Sequence, residues 1–247
     1  MHPLTGKTIK EMLASINSED CVRIFPLPDG GILSLQNRML IMGILNVTPD
    51  SFSDGGKWNA SVEQAAEHAR KMIEEGADII DIGGESTRPG AAAVTEEEEA
   101  RRVIPVIRKL REAGIHIPIS VDTYHSAVAR QAIEAGASIV NDISAGEDDP
   151  AMLPLLAETG VPCILMHKRG NAVTMDKQAT YRDVVKEVAE YCLDRTELAI
   201  RMGVPRWNII VDPGLGFAKN TQQNCALVNE IGRLNGITKN MPLLVGV

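Results

Sequence analysis

Aromatic side chains are scarce, at 3% of 247 residues, so a core has to be assembled from Ile, Val, Leu, Ala and Met. The four cysteines, Cys21, Cys163, Cys192 and Cys225, lie far apart and form no CxxC pair, which sets aside a disulfide framework and a thiolate zinc site. The five histidines are equally scattered, against a His-based metal site. No apolar run approaches the ~18 residues that read as membrane-spanning. Met1-His2-Pro3-Leu4-Thr5-Gly6 lacks the charged-then-apolar order of a secretory signal. Lys and Arg form no long block in a chain of net charge −8, so neither nucleic acid nor a membrane is expected as a partner. Small anions remain open, because a few arginines and backbone N–H groups bind phosphate well in an acidic protein. A reducing compartment, the cytoplasm, is the default expectation.

What is present is a repeat. Ser61-Val62-Glu63-Gln64 reads as a capping box that opens a helix, with Val62, Ala65, Ala66, Ala69, Met72 and Ile73 on one face. Gly76 follows as a C-cap, and residues 77–82 read as a buried strand. Thr95 then caps a helix carrying Ala100, Val103, Ile104, Ile107 and Leu110, and a strand follows at 117–122. Glu134-Ala135-Gly136-Ala137-Ser138-Ile139-Val140 nearly repeats Glu74-Glu75-Gly76-Ala77-Asp78-Ile79-Ile80, which marks recurring βα units. Asp149-Pro150 reads as the N-cap and first position of another helix. Strands at 161–166 and 208–212, a long helix at 181–202, a last helix before Gly236 and a final strand at 242–246 complete the series.

With residues 40–46 as the first strand, seven parallel strands are expected. Strict alternation of helices with apolar strands implies a parallel sheet covered by helices. No GxGxxG follows the first strand, so a dinucleotide fold lacks its fingerprint. Ahead of the repeat, residues 22–27 and 32–35 flank Asp29-Gly30-Gly31 as a β-hairpin. Residues 1–20, helical over 8–16, read as a linker or the tail of an upstream domain, leaving 21–247 as one domain.

Nearly every strand ends in a polar side chain: Asn46, Asp81 with Glu85, Asp122, Asn141 with Asp142, His167 and Asp212. In a barrel these ends converge on the face where active sites sit. Asp and Asn also favour turns and caps, but a series at one end of every strand points to a site. Two loops add chemistry. Residues 46–56 form a long, polar, glycine-ended stretch suited to a mobile lid. Residues 83–90 offer glycine backbone, two hydroxyls and an arginine, a set that fits a diphosphate. Glu96 to Glu99 reads as a solvated face, placed where acids favour the helix dipole.

At this point the residues resemble a known family. Met42 to Gly56 and Asp81 to Gly90 look like the two signatures of the dihydropteroate synthases, and Ser120-Val121-Asp122-Thr123, Asn141-Asp142-Ile143 and Asp212-Pro213-Gly214-Leu215-Gly216-Phe217 match further motifs in order. The resemblance covers residues 22–247, and residues 2–13 resemble the end of a pterin pyrophosphokinase, as in fused fungal folate proteins. It implies an α/β protein with a (β/α)8 TIM barrel, here without strand 8 and the last helices, plus the N-terminal hairpin. It also implies a transferase that condenses (7,8-dihydropterin-6-yl)methyl diphosphate with 4-aminobenzoate in folate biosynthesis.

Carried over by position, Asp122, Asn141 and Asp212 are expected to bind the pterin's amino and ring nitrogens, with Met166, Gly216 and Phe217 lining its slot. Asn46 is expected to ligate Mg2+ on the diphosphate, and Thr87 to contact that diphosphate. Phe52 and Pro89 form the aminobenzoate pocket, with Asp50 stabilising developing cationic charge and Arg88 acting in loop closure. A homodimer is implied, as is fusion to other folate-pathway domains, with a mitochondrial location where such a fused protein is eukaryotic. Where the family has His-Met-Arg-Gly this chain has His167-Lys168-Arg169-Gly170, and a Lys at 168 is expected to be tolerated if its side chain points to solvent. The family pattern continues past Val247 with further contacts, so the synthase activity of these 247 residues alone is in question. The competing readings are a pterin-binding methyltransferase, which needs no diphosphate loops, and a non-catalytic pterin-binding remnant.

Overall fold

The computed structural model describes residues 24–35, 38–48, 58–85, 94–170 and 174–246. Six strands form one parallel sheet in simple chain order: β3 (Met42–Asn46), β4 (Ile79–Gly83), β5 (Ile119–Asp122), β6 (Ile139–Asp142), β7 (Cys163–Met166) and β8 (Ile209–Asp212). Among the described residues, helices fill the crossovers: α1 (Trp58–Glu74), α2 (Glu96–Glu112), α3 (Ser126–Ala135), α4 (Met152–Thr159) and α5 (Val184–Arg201). Two short helices, α6 (Thr221–Asn229) and α7 (Ile231–Ile237), follow β8. Because the strand order never reverses, right-handed crossovers keep every helix on the same side, so the sheet winds as a barrel wall.

The two faces of the strands bear this out. Ile80, Ile82, Val140, Leu165 and Val211 pack with helix residues such as Val103, Ile107, Ala129, Leu156 and Val188. The alternate residues Ile79, Ile139, Ile164 and Ile210 pack instead with Phe25, Leu27 and Leu33. Those last three belong to an antiparallel hairpin, β1 (Ile24–Pro26) and β2 (Ile32–Ser34), whose turn is held by Leu27 N–H donating to the Gly31 carbonyl at 3.0 Å. The hairpin therefore plugs the barrel at the N-terminal ends of its strands. Burying Phe25 completely stabilises the plug by roughly 1.5–3 kcal/mol.

Several expectations need adjusting. Eight strands are present among the described residues, so an eighth exists in chain order, but two lie in the hairpin and Ile209–Asp212 takes sixth place in the parallel sheet. The run at 242–246 contributes a single parallel bridge, Leu243 to Val211, rather than a full seventh strand. Helix α1 starts at Trp58, ahead of the expected cap at Ser61, since Trp58, Asn59 and Ala60 include neither proline nor glycine to stop it. Helix α4 starts at Met152, two residues after Pro150, and its N-cap is Ala151 rather than Asp149. The Asp149 carboxylate instead accepts Ala151 N–H on Oδ1 at 2.8 Å, in the turn ahead of the helix, and Ser126 N–H, at the start of α3, on Oδ2 at 2.7 Å. The last helix divides in two around Glu230, and Gly236 lies inside α7. The helix expected at 8–16 lies outside the described residues.

Candidate active site

Side chains alternate across a strand with period two, so the faces that carry isoleucine at the plug carry polar residues two positions further on. Asp81, Asn141, Met166 and Asp212 succeed Ile79, Ile139, Ile164 and Ile210 in this way, and the barrel interior passes from apolar at the hairpin to polar at the mouth. Register aligns the mouth: Asn46 pairs with Gly83, Gly83 with Asp122, Asp122 with Asn141, and Met166 with Asp212. Gly83 keeps a gap between two site residues. A β-carbon there would lie 3.3 Å from Asp122 Oδ2 and 3.7 Å from Asn46 Oδ1.

Asn141 (7% exposed) donates from Nδ2 to Asp81 Oδ2 at 3.0 Å, and Asp81 is 4% exposed. Asn141 Oδ1 and Asp81 Oδ1 are both buried and find no hydrogen-bond partner among the described residues. Such groups are costly to leave unpaired, which marks the place where a ligand's donors belong. Asp212 (7% exposed) accepts Gly214 N–H on Oδ1 at 2.7 Å. Desolvation lifts the Asp212 carboxyl to about 6, against the favourable Gly214 hydrogen bond and the charge of Lys219. Asp122 is pushed well above the carboxylate range, first by desolvation and then by the negative charges of Asp81, Glu99, Asp142 and Glu85. Burial also raises Asp81.

Lys219 is a site residue that the sequence does not single out, although it ends the same glycine-rich loop as Asp212. Its ammonium is buried and donates to the Gly214 and Phe217 carbonyls at 2.8 and 2.9 Å, with His167 Nδ1 a further 2.9 Å partner. Burial brings Lys219 down to about 7 and His167 down to about 3, so His167 is a neutral imidazole that accepts at Nδ1. Asp142, also at the end of β6, is committed locally: it accepts from Ser144 N–H and Oγ–H, both at 2.8 Å, and from Gly146 N–H at 2.6 Å.

Of the expected site residues, the fold brings together Asp122, Asn141, Met166 and Asp212 in the mouth, with Asn46 exposed at its rim. Gly216 and Phe217 lie on the β8 loop, where Gly216 is exposed and Phe217 partly buried. Asp50, Phe52, Thr87, Arg88 and Pro89 lie outside the described residues. One expectation is overturned, and the condition attached to Lys168 is not met. Glu99 is no part of a solvated face: it is 2% exposed and 2.7 Å from His125 Nδ1, because α2 turns it inward beneath Gly84 while Glu98 faces Arg101 and Arg102. Lys168 does not reach into solvent either. Its side chain is 11% exposed, ion-paired with Asp148 and 5.5 Å from the centroid of the Tyr124 ring.

Among the described residues no helix is long and apolar enough to cross a membrane. The whole arrangement defines a barrel enzyme with its site at the C-terminal mouth. A family model described as pterin binding enzyme matches residues 42–247. The folic acid synthesis protein fol1 of Schizosaccharomyces pombe is 49% identical over 240 residues, 97% of this chain but 32% of that protein, so the chain spans about a third of that relative's length. The dihydropteroate synthase of Bacillus subtilis is 48% identical over 206 residues, covering 83% of this chain and 69% of its own length. A solved dihydropteroate synthase from Xanthomonas albilineans with 4-aminobenzoic acid has a TM-score of 0.81 and 45% identity, covering 90% of this chain and 78% of that one. The chain belongs to the dihydropteroate synthases within the pterin-binding enzyme family.

Proposed function

We propose that this chain carries the condensation of (7,8-dihydropterin-6-yl)methyl diphosphate with 4-aminobenzoate, giving 7,8-dihydropteroate and diphosphate. The observation that carries this reading is the inward set Asp122, Asn141 and Asp212, three acceptor-bearing side chains on three strands of one barrel mouth. A pterin edge presents an amino group and ring N–H donors, and carboxylates meet such an edge with paired, charge-assisted hydrogen bonds. Gly214 N–H occupies Asp212 Oδ1, leaving Oδ2 for the ligand. The positive charge of Lys219 favours the ionised form of Asp212. Met166, Gly216 and Phe217 line the flat slot beside it.

The reaction breaks the bond between the exocyclic methylene and the diphosphate oxygen, and the electron pair leaves with diphosphate. The arylamine nitrogen, neutral at pH 7, forms the new C–N bond and then loses a proton. No strong base is required, so positioning and stabilisation of charge supply the rate. Asp50 stabilises the cationic methylene, Thr87 holds the diphosphate, Arg88 closes the loop, and Phe52 and Pro89 frame the arylamine.

A divalent ion suits the donor set at the rim. Asn46 offers one hard amide oxygen beside Gly83. Mg2+ favours such oxygens, and commonly keeps waters and shares one or two protein ligands with substrate phosphates. When bound, the ion neutralises the leaving diphosphate. We further place the protein in the cytoplasm, or in the mitochondrion where it is part of a eukaryotic fusion, as a homodimer. The test is direct: incubate the chain with the pterin diphosphate, 4-aminobenzoate and Mg2+, and measure dihydropteroate and diphosphate. Equimolar release of both is expected. Pterin binding with no product points to a binding protein without synthase activity.

A further inference from the structure

The contact between Asp81 and Asn141 spans two strands. Asp81 lies on β4 and Asn141 on β6, and β5 between them contributes Ser120 as the register partner of Asp81 and Asp122 as that of Asn141. The hydroxymethyl of Ser120 is small enough for the two longer side chains to meet above it inside the barrel, 3.0 Å from nitrogen to oxygen. An asparagine amide has two ends of nearly equal shape and opposite chemistry: one accepts, the other donates. Here the amide turns its nitrogen toward Asp81 and donates to Oδ2. Its oxygen then points elsewhere, and Asn141 Oδ1 is buried with no partner among the described residues.

We propose that Asp81 is a positioning residue that sets ligand specificity: by holding Asn141 Nδ2, it fixes Asn141 Oδ1 as an acceptor in the mouth and selects a ring edge that carries an amino group over one that carries a carbonyl. This deepens the pterin reading above and rests on it. A 2-amino-4-oxo ring (a pterin) meets the fixed acceptor with N–H, whereas a 2,4-dioxo ring (a lumazine) sets oxygen against oxygen. The discrimination comes from Asp81, which need not touch the ligand.

The test uses calorimetric binding of 6-hydroxymethylpterin and of lumazine to the whole chain. Asp81→Asn is isosteric, so the pocket keeps its volume, but an Asn–Asn pair is able to turn over together and present either end. The preference for pterin over lumazine is expected to narrow roughly tenfold. In Asp81→Asn with Asn141→Asp the two side-chain types are exchanged. Asn at position 81 then donates to one oxygen of the new carboxylate, whose other oxygen is an acceptor whichever way it turns. That double variant is expected to return the preference to within about threefold of wild type. Thermal melts of each variant accompany the titrations, and Asn141→Ala serves as the control on the underlying reading. If wild type binds no pterin, or Asn141→Ala binds it as well as wild type does, the pterin reading itself fails and this proposal with it. If those two behave as expected while Asp81→Asn keeps the full preference, or the exchange does not restore it, the role of Asp81 is overturned and the pterin reading stands.

Discussion

Gly214 packs directly against the backbone oxygen of His167, so closely that a β-carbon at position 214 would overlap it. The backbone of Gly214 is also left-handed, with φ of +65°. This contact fastens the loop after β8 to the end of β7, together with His167 N–H donating to the Asp212 carbonyl at 2.9 Å. Gly214→Ala therefore meets both strain and a backbone clash that no side-chain rotation relieves. A loss of roughly 1–3 kcal/mol is expected from the strained conformation alone. The pterin Kd is expected to rise as well, because Asp212 and Lys219 sit on the displaced loop. A variant with unchanged melting temperature and unchanged Kd would show that the loop is not fastened in this way.

Asp122→Ala and Asp212→Ala are each expected to weaken pterin binding far more than 4-aminobenzoate binding. Both carboxylates lie at strand ends in the mouth, and removing one leaves ligand donors buried without an acceptor, at about 1–3 kcal/mol. Titrating the two substrates separately against each variant checks this. Equal losses for both substrates would take these residues out of the pterin cradle.

Much of this geometry was legible in the sequence because it rests on local rules. Period-two alternation, glycine caps and the phrase shared by residues 74–80 and 134–140 place β4 and β6, and with them Asp81 and Asn141, without any knowledge of contacts. Long-range effects were not legible. Glu99 sits in an acidic run that satisfies the helix dipole, and only the approach of His125, 26 residues on, shows which of the four glutamates turns inward. The inward turn of Lys168 is not legible either, because its neighbours in sequence say nothing of Asp148, which reaches it from the loop after β6. Lys219 escaped notice for the same reason: its partners, His167 and the Gly214 and Phe217 carbonyls, are assembled by folding. The hairpin is legible as a hairpin, but its task as a barrel plug depends on Phe25, Leu27 and Leu33 sharing one cluster with Ile79, Ile139, Ile164 and Ile210 from four strands.

Asn46→Ala is expected to raise the Mg2+ concentration needed for half-maximal turnover and to lower the maximal rate. Binding of a pterin without diphosphate should be nearly unchanged. The side chain stands exposed at the rim, beyond the buried cradle, where it can serve the diphosphate without touching the ring. Turnover measured across a Mg2+ series decides the matter. If the Mg2+ curve of the variant overlays that of wild type, Asn46 does not hold the ion.

The raised carboxyl of Asp212 makes a pH prediction with two readouts. Its ordinary value is 3.8, and burial lifts it to about 6. Ligand N–H groups need the ionised form, so pterin affinity is expected to fall as pH drops through about 6, and in Asp212→Asn this component of the pH dependence should vanish. Stability runs the other way. Between 3.8 and about 6 the folded state holds a proton on Asp212 that the unfolded chain has released, so raising the pH across that window costs the wild type stability. The amide of Asp212→Asn cannot ionise and escapes that cost. The melting temperature of the variant relative to wild type should therefore climb as pH rises toward 6. Lys219, brought down to about 7, is held up by the Asp212 carboxylate, so Asp212→Asn lowers it further. Its earlier loss of a proton in the variant adds to the climb in the same direction, and the comparison is kept below about pH 6.5. His167, at about 3, stays neutral across the window, and Asp81 and Asp122 are present in both proteins. Melting curves that stay parallel from pH 4.5 to 6.5 would show that Asp212 titrates like a surface carboxylate, and the raised value would then be overturned.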